Sequence, residues 1–167
     1  MLQSRLLFLV LFLACASLLG FGYYLQFIEG LEPCPLCIFQ RVAYMVITAL
    51  ALVAAVHGPG MAWRRVYAAL VFVAALAGGG IAARQVWLQH LPADRVPECG
   101  PGLDYMLDVL PLAEVVKSVF RGSGECAEVD WTFLSFSIAE WSLACFLVIA
   151  VAVPVLVLRR AAPGPRP

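Results

Sequence analysis

Four apolar stretches, residues 6–28, 38–56, 66–83 and 141–158, constrain this chain more than any other feature. Each approaches or exceeds the roughly 20 residues that an α-helix needs to cross a hydrocarbon core about 30 Å thick. Only Arg41 interrupts them with a charge. With 13% charged residues against the roughly 25% of soluble domains, the chain has too little polar surface for an ordinary water-soluble fold. The expectation is an all-α integral membrane protein, a four-transmembrane-helix bundle forming one domain over residues 1–167. The first stretch starts like a secretion signal, with Arg5 ahead of an apolar core and Ala14-Cys15-Ala16 as a cleavage-like site. It runs on well past the 7 to 15 residues of a signal core, so it reads as a retained span.

Eleven basic residues balance eleven acidic ones, and no basic tail or cluster argues for nucleic acid. How the charges are distributed says more. Four spans put both chain ends on one side together with the turn after the second span. Those pieces carry Arg5, Arg64, Arg65, Arg159, Arg160 and Arg166 and no acid. By the positive-inside rule that side is cytoplasmic, and every Asp and Glu then lies in the two loops facing out, residues 29–37 and 84–140. In the long loop, Leu112, Val115, Val116, Val119 and Phe120 recur at helical spacing behind Pro111. This predicts a short amphipathic helix whose apolar stripe lies either on the lipid surface or on the bundle.

The six cysteines fall into two groups. Cys15 and Cys145 sit within apolar spans, where a thiol behaves as a small hydrophobe. Cys34, Cys37, Cys99 and Cys126 all lie in or beside the outward loops, where an oxidising compartment favours disulfides. Cys34-Pro35-Leu36-Cys37 is a C-x-x-C at the entrance to the second span, where backbone N–H groups and the helix dipole favour a thiolate. A redox couple, half of a zinc site and a structural staple all use this spacing. Zinc would need a second close pair, whereas Cys99 and Cys126 are far apart and this loop has no nearby histidine. If joined, Cys99 and Cys126 would make an exposed bridge among turn-forming residues, either labile or a simple loop staple.

Arg41 follows Cys37 by one helical turn, so on a helix it shares a face with both cysteines of the motif. A guanidinium at the bilayer edge either snorkels or serves a function. The functional reading is a fixed cation that stabilises a Cys37 thiolate or the anionic oxygen of a reduced, lipid-soluble redox partner. A quinone has that chemistry. His90, near Arg84 at the outer end of the third span, is a further candidate for handling quinone protons.

Residues 32–41 (EPCPLCIFQR), Cys99-Gly100-Pro101 and Gly124-Glu125-Cys126-Ala127-Glu128 followed by Trp131 and Trp141 together resemble the DsbB family of bacterial disulfide bond formation proteins. The resemblance covers the whole chain and implies a quinone-dependent thiol oxidase of the bacterial inner membrane, with its cysteines facing the periplasm. A DsbA-like periplasmic oxidoreductase of thioredoxin fold would reduce a Cys99/Cys126 disulfide through a mixed disulfide at Cys99. Electrons would pass to Cys34/Cys37 through an inter-loop disulfide, then from Cys37 to ubiquinone or menaquinone held beside Arg41, with His90 as a possible further contact. Residues 135–138 lack a proline found in some relatives, which leaves the entry of the fourth span open. A membrane oxidoreductase of the vitamin K epoxide reductase type would place its active pair near the late helices of its bundle. A non-enzymatic scaffold would use the loop disulfides only to shape its surface.

Overall fold

The computed structural model describes residues 2–97, 103–122 and 124–159. Four long helices form the bundle: α1 (Leu2–Phe27), α2 (Pro35–His57), α3 (Met61–Gln89) and α6 (Ile138–Arg159). Two short helices, α4 (Leu103–Val109) and α5 (Leu112–Arg121), and a two-residue hairpin of β1 (Thr132–Phe133) and β2 (Phe136–Ser137) fill the connection between α3 and α6. All four long helices are long and apolar enough to span a bilayer. Their outward faces carry exposed Leu13, Val46, Val73 and Val148, residues that a water-soluble bundle would hide and that lipid accepts. The protein is an all-α integral membrane protein.

Local chemistry sets the helix limits. α2 begins at Pro35 rather than at residue 38, because proline has no N–H to lose at a helix start. This draws Cys37 into the first turn and leaves Cys34 as the N-cap. At its other end, Gly58 takes the left-handed conformation (φ 59°, ψ 52°) and returns its N–H to Ala54. α3 continues well past residue 83, where the charge on Arg84 ended the apolar stretch. The Arg84 guanidinium lies 4.2 Å from the centre of the Trp87 ring, and the chain meets no helix breaker until Pro92. At 29 residues, α3 therefore projects about two turns beyond what a bilayer core requires, carrying Gln85 and Gln89 into the loop region.

Sequential neighbours pack together, and α3 also packs on α6, whereas α1 and α6 make little direct contact. The core joining α2, α3 and α6 is tight: a Cβ on Gly78 would fall 2.4 Å from the Phe146 ring and 2.9 Å from Ala43 Cβ. Tyr44 stacks on Phe146 at 4.2 Å, and Ile47, Val71, Ile149 and Val153 continue this apolar core toward the α2–α3 turn. Arg5 lies over that turn, since a Cβ on Gly58 would meet its guanidinium.

A second cluster forms where the loops gather. α5, expected over 112–120, spans Leu112–Arg121 with Pro111 as its N-cap. Its stripe is divided: Val115 and Val119 are buried against Leu36, Ile81, Leu88 and Met106, whereas Leu112 and Val116 are exposed. Packing on the bundle thus takes one edge of the helix. Gly122 (φ 86°) then turns the chain where a Cβ would strike Leu88 at 2.5 Å, so only glycine fits this close return.

The entry of α6 is a capping box. Ser137 N–H donates to Glu140 Oε2 at 2.7 Å, and Glu140 N–H donates to Ser137 Oγ at 3.3 Å. The Ser137 hydroxyl also donates to Gln89 Oε1 at 2.8 Å, tying α6 to α3. Between the strands, Leu134 and Ser135 both have positive φ (52° and 69°), as a two-residue hairpin turn requires.

Candidate active site at the loop end of the bundle

Cys34, Cys37 and Cys126 come together at the N-terminus of α2. Cys34 Sγ donates to Cys37 Sγ at 3.2 Å, and Ile38 N–H closes the first helical bond on the Cys34 carbonyl at 3.1 Å. The first turn of α2 contains no acid, so nothing there offsets the partial positive charge of its free N–H groups. Cys126 ends a short 3₁₀ turn, Gly124–Cys126, that packs on α2 and α3 and comes within hydrogen-bonding reach of Cys34.

The expectation of an exposed sulfur at Cys126 is corrected by the structure. Only 1% of Cys126 is exposed, because docking of Val115 and Val119 and the turn at Gly122 fold it beneath α5 against Leu36 and Leu88. Cys99 lies outside the described residues, as do Arg160 and Arg166. The Cys34 thiol is pushed far above the ordinary thiol range, first by its hydrogen bond with Cys126, then by that with Cys37, then by burial. Cys34 is therefore a protonated donor at neutral pH, and the proton it offers points at Cys37.

Gln40 and Gln85 are the buried polar side chains nearest these sulfurs, each only 4% exposed. Gln40 Nε2 donates to Gln85 Oε1 at 2.6 Å, and Gln85 Nε2 donates to Cys37 Sγ at 3.2 Å and to Cys34 Sγ at 3.4 Å. The sequence alone does not mark this pair: both are uncharged, and Gln85 falls beyond the third apolar stretch. Only Gln40, an amide inside the second apolar stretch, carries a signal there.

Arg41 turns away from the sulfurs toward α1. Its Nη2 donates to the Gly22 carbonyl at 2.9 Å, its Nη1 to Gln26 Oε1, and its guanidinium lies 5.1 Å from the centre of the Tyr23 ring. Among the described residues no carboxylate pairs with it. Arg41 and Cys37 nevertheless line one cavity of about 1370 Å³, walled by α1, α2, α6, the end of α3 and the hairpin and reaching inward to Cys145. The cavity lies where α1 and α6 make little contact, and Phe21, Trp131 and Trp141 are among its lining residues.

His90, expected beside a quinone, is not part of this wall. It caps α3 with Nδ1 on the Val86 carbonyl at 2.8 Å, is 66% exposed, and has Nε2 3.9 Å from Glu140 of α6. The longer α3 carries it past the cavity. Cys15 is buried in the apolar core, and Cys145 is half-buried beside Tyr44.

The chemistry of this donor set suits a quinone. Apolar walls match a prenylated ring and tail, an unpaired cation matches the oxyanion of the reduced ring, and a sulfur lies on the same wall. No group of His, Cys, Asp or Glu among the described residues is arranged to hold a metal ion.

The family model for Disulfide bond formation protein DsbB matches residues 4–156. The chain is 52% identical over 158 residues to Disulfide bond formation protein B of Aromatoleum aromaticum, covering 95% of each. It is 54% identical over 150 residues to the protein of that name from Nitrosococcus oceani, covering 90% of this chain and 89% of the relative. A third relative so named, from Stutzerimonas stutzeri, is 46% identical over 158 residues, 95% of this chain and 97% of its own length. With four spanning helices and a match along nearly its whole length, the chain belongs to the DsbB family of membrane disulfide bond formation proteins.

Proposed function

We propose that this protein is a quinone-dependent thiol oxidase that re-oxidises a DsbA-like dithiol oxidoreductase. The observation that carries the reading is the gathering of Cys34, Cys37 and Cys126 beside a largely apolar cavity that Cys34, Cys37 and Arg41 line. A staple needs no such cavity, and an electron relay needs both.

The proposed sequence balances as thiol exchange. A partner dithiol attacks the Cys99–Cys126 disulfide at Cys99, leaves as a disulfide, and leaves two thiols behind. Cys126 as thiolate then attacks Cys34 of the Cys34–Cys37 disulfide, forming Cys34–Cys126 and releasing Cys37 as thiolate. Cys99 attacks Cys126, restoring the loop disulfide and freeing Cys34. The Cys34–Cys37 bond re-forms as two electrons and two protons depart. Ubiquinone or menaquinone, when bound, supplies the acceptor for that pair of electrons. The chain itself provides a helix N-terminus and neighbouring donors that favour thiolate at Cys37, a protonated Cys34 and a fixed cation at Arg41.

The proposed setting is the bacterial inner membrane, with the chain a single domain in the quinone-bearing bilayer. Arg5, Arg64 and Arg65 mark the cytoplasmic face, which holds both termini, and the cysteines face the periplasm. His90 is assigned to joining α3 and α6 rather than to quinone contact, because it stands outside the cavity wall.

Trapping tests the relay. In Cys37→Ser, Cys34 has lost its partner and lies beside Cys126, so non-reducing peptide mapping should recover a Cys34–Cys126 disulfide with Cys99 as free thiol. Recovery of only Cys99–Cys126, with Cys34 reduced, would overturn the inter-loop step.

A further inference from the structure

The reading of Cys37 as the electron-donating thiolate leaves open which side chain stabilises it by contact. The sequence points to Arg41, yet that guanidinium is committed to Gly22 and Gln26 on α1. Among the described residues, the side chains that hydrogen-bond Cys37 are Cys34 and Gln85.

We propose that Gln85 is a catalytic residue, the hydrogen-bond donor to the Cys37 thiolate, and that Gln40 is the positioning residue that keeps its amide turned the right way. The inference rests on the function proposed above and deepens it.

An amide has a donor end and an acceptor end, so its orientation decides what it does to a sulfur. With Gln40 Nε2 on Gln85 Oε1 at 2.6 Å, the Gln85 oxygen is engaged and its NH₂ faces the sulfurs, at 3.2 Å from Cys37 and 3.4 Å from Cys34. The opposite orientation would set two NH₂ groups against each other at Gln40 and turn the Gln85 oxygen, which cannot donate, toward the thiolate. Gln85 Oε1 is also 3.5 Å from Cys37 Sγ and can accept that thiol's proton, so one side chain serves both protonation states of the sulfur. Both glutamines are almost wholly buried, where an unmet amide is costly and a met one is rigid. The pair also spans two helices, so it fixes α3 against the active turn of α2. The ionisable groups around Cys37 are Cys34 and Arg41 on its own strand of chain and Cys126 from the loop; α3 offers it the neutral amide.

The test is site-resolved alkylation of the reduced full-length protein in detergent, without quinone or partner. Iodoacetamide is pulsed from pH 5 to pH 10, and the Cys37 peptide is quantified by mass spectrometry. A charge-assisted hydrogen bond of ordinary strength sets the expected change at about tenfold. Gln85→Glu keeps the acceptor for Gln40 and the side-chain volume but offers no donor at neutral pH. It should move the Cys37 profile up by about one pH unit and slow alkylation at pH 7 about tenfold. Gln85→Met should do the same, and Gln40→Met should slow it about threefold. A Cys37 profile for Gln85→Glu that coincides with wild type would overturn the proposal. Buried Cys15 reports folding in each sample. If a Gln85 variant exposes Cys15, Gln40→Met decides, and an unchanged profile there overturns the proposal as well. Because no quinone is present, a shifted profile in a protein that later fails to reduce quinone would sink the functional reading and leave this assignment standing.

Discussion

The two halves of the bundle use the same four helices for opposite purposes, and their cysteines show it. Toward the α2–α3 turn, Cys15 is packed among Leu11, Ile47, Val71 and Phe146, with contacts that are almost entirely apolar. At the loop end, Cys34 and Cys37 meet two buried glutamines, a third sulfur and the free N-terminus of a helix. One half gains rigidity from close contact, as the buried cluster of Cys15, Ile47 and Val71 illustrates. The other buries polar groups that are expensive in a membrane, which is tolerable only because each is matched to a partner. A cysteine is thus made reactive by its surroundings rather than by its presence.

The contrast can be broken most sharply at Cys37. Cys37→Ser should lower quinone reduction by a reduced thioredoxin-fold donor at least about a thousandfold, measured as loss of quinone absorbance. Turnover close to wild type would put the chemistry elsewhere. In the apolar core, Gly78→Leu should instead attack stability. Forcing a side chain into the Phe146 ring and Ala43 costs about 1–3 kcal/mol, visible as a lowered melting temperature in detergent. An unchanged melting curve would mean that the contact is slack.

Arg41→Ala should raise the KM for quinone about tenfold while leaving Cys34–Cys126 exchange intact, which separates cavity from sulfurs. Cys126→Ala tests the sign of the Cys34 perturbation. The Cys34 pKa lies above the ordinary thiol range, with the Cys126 hydrogen bond as first cause. Removing it should bring the value down, enlarge the thiolate fraction near pH 8 and speed alkylation of Cys34 several-fold. Slower alkylation would reverse the assigned cause. The smallest effect is expected at Cys15→Ala and Cys145→Ala, with quinone turnover within about twofold of wild type.

Much of this architecture is legible in the chain because lipid imposes simple demands. Four apolar stretches, and the confinement of every acid to the connections 29–37 and 84–140, define the spans and their alternation. The end of α3 is harder to read, since Arg84 looks like a boundary until its guanidinium is seen over Trp87. The hairpin before α6 is hidden for a different reason: its strands are two residues long, and Leu134-Ser135 lacks the Asn or Gly that usually announces positive φ. Ser137 and Glu140, three apart ahead of an apolar run, did carry a capping signal that pointed to the start of α6. At the site, the C-x-x-C and Arg41 are visible in the sequence. The burial of Cys126 is not, because it depends on which edge of α5 docks and on a glycine turn against Leu88. Gln85 is 45 residues from Gln40 and becomes meaningful only once α2 and α3 are side by side.

The central claim is that sulfur couples at the loop end deliver electrons to a quinone in the adjoining cavity. The most direct measurement supplies the purified, full-length protein with a reduced thioredoxin-fold dithiol and a short-chain ubiquinone or menaquinone analogue, without oxygen. Quinol and donor disulfide are then counted together. One quinol formed per donor disulfide, with no net change in the protein's own thiols over many turnovers, is the predicted result. Donor oxidation that stops once the protein's disulfides are spent, with no quinol appearing, would contradict it.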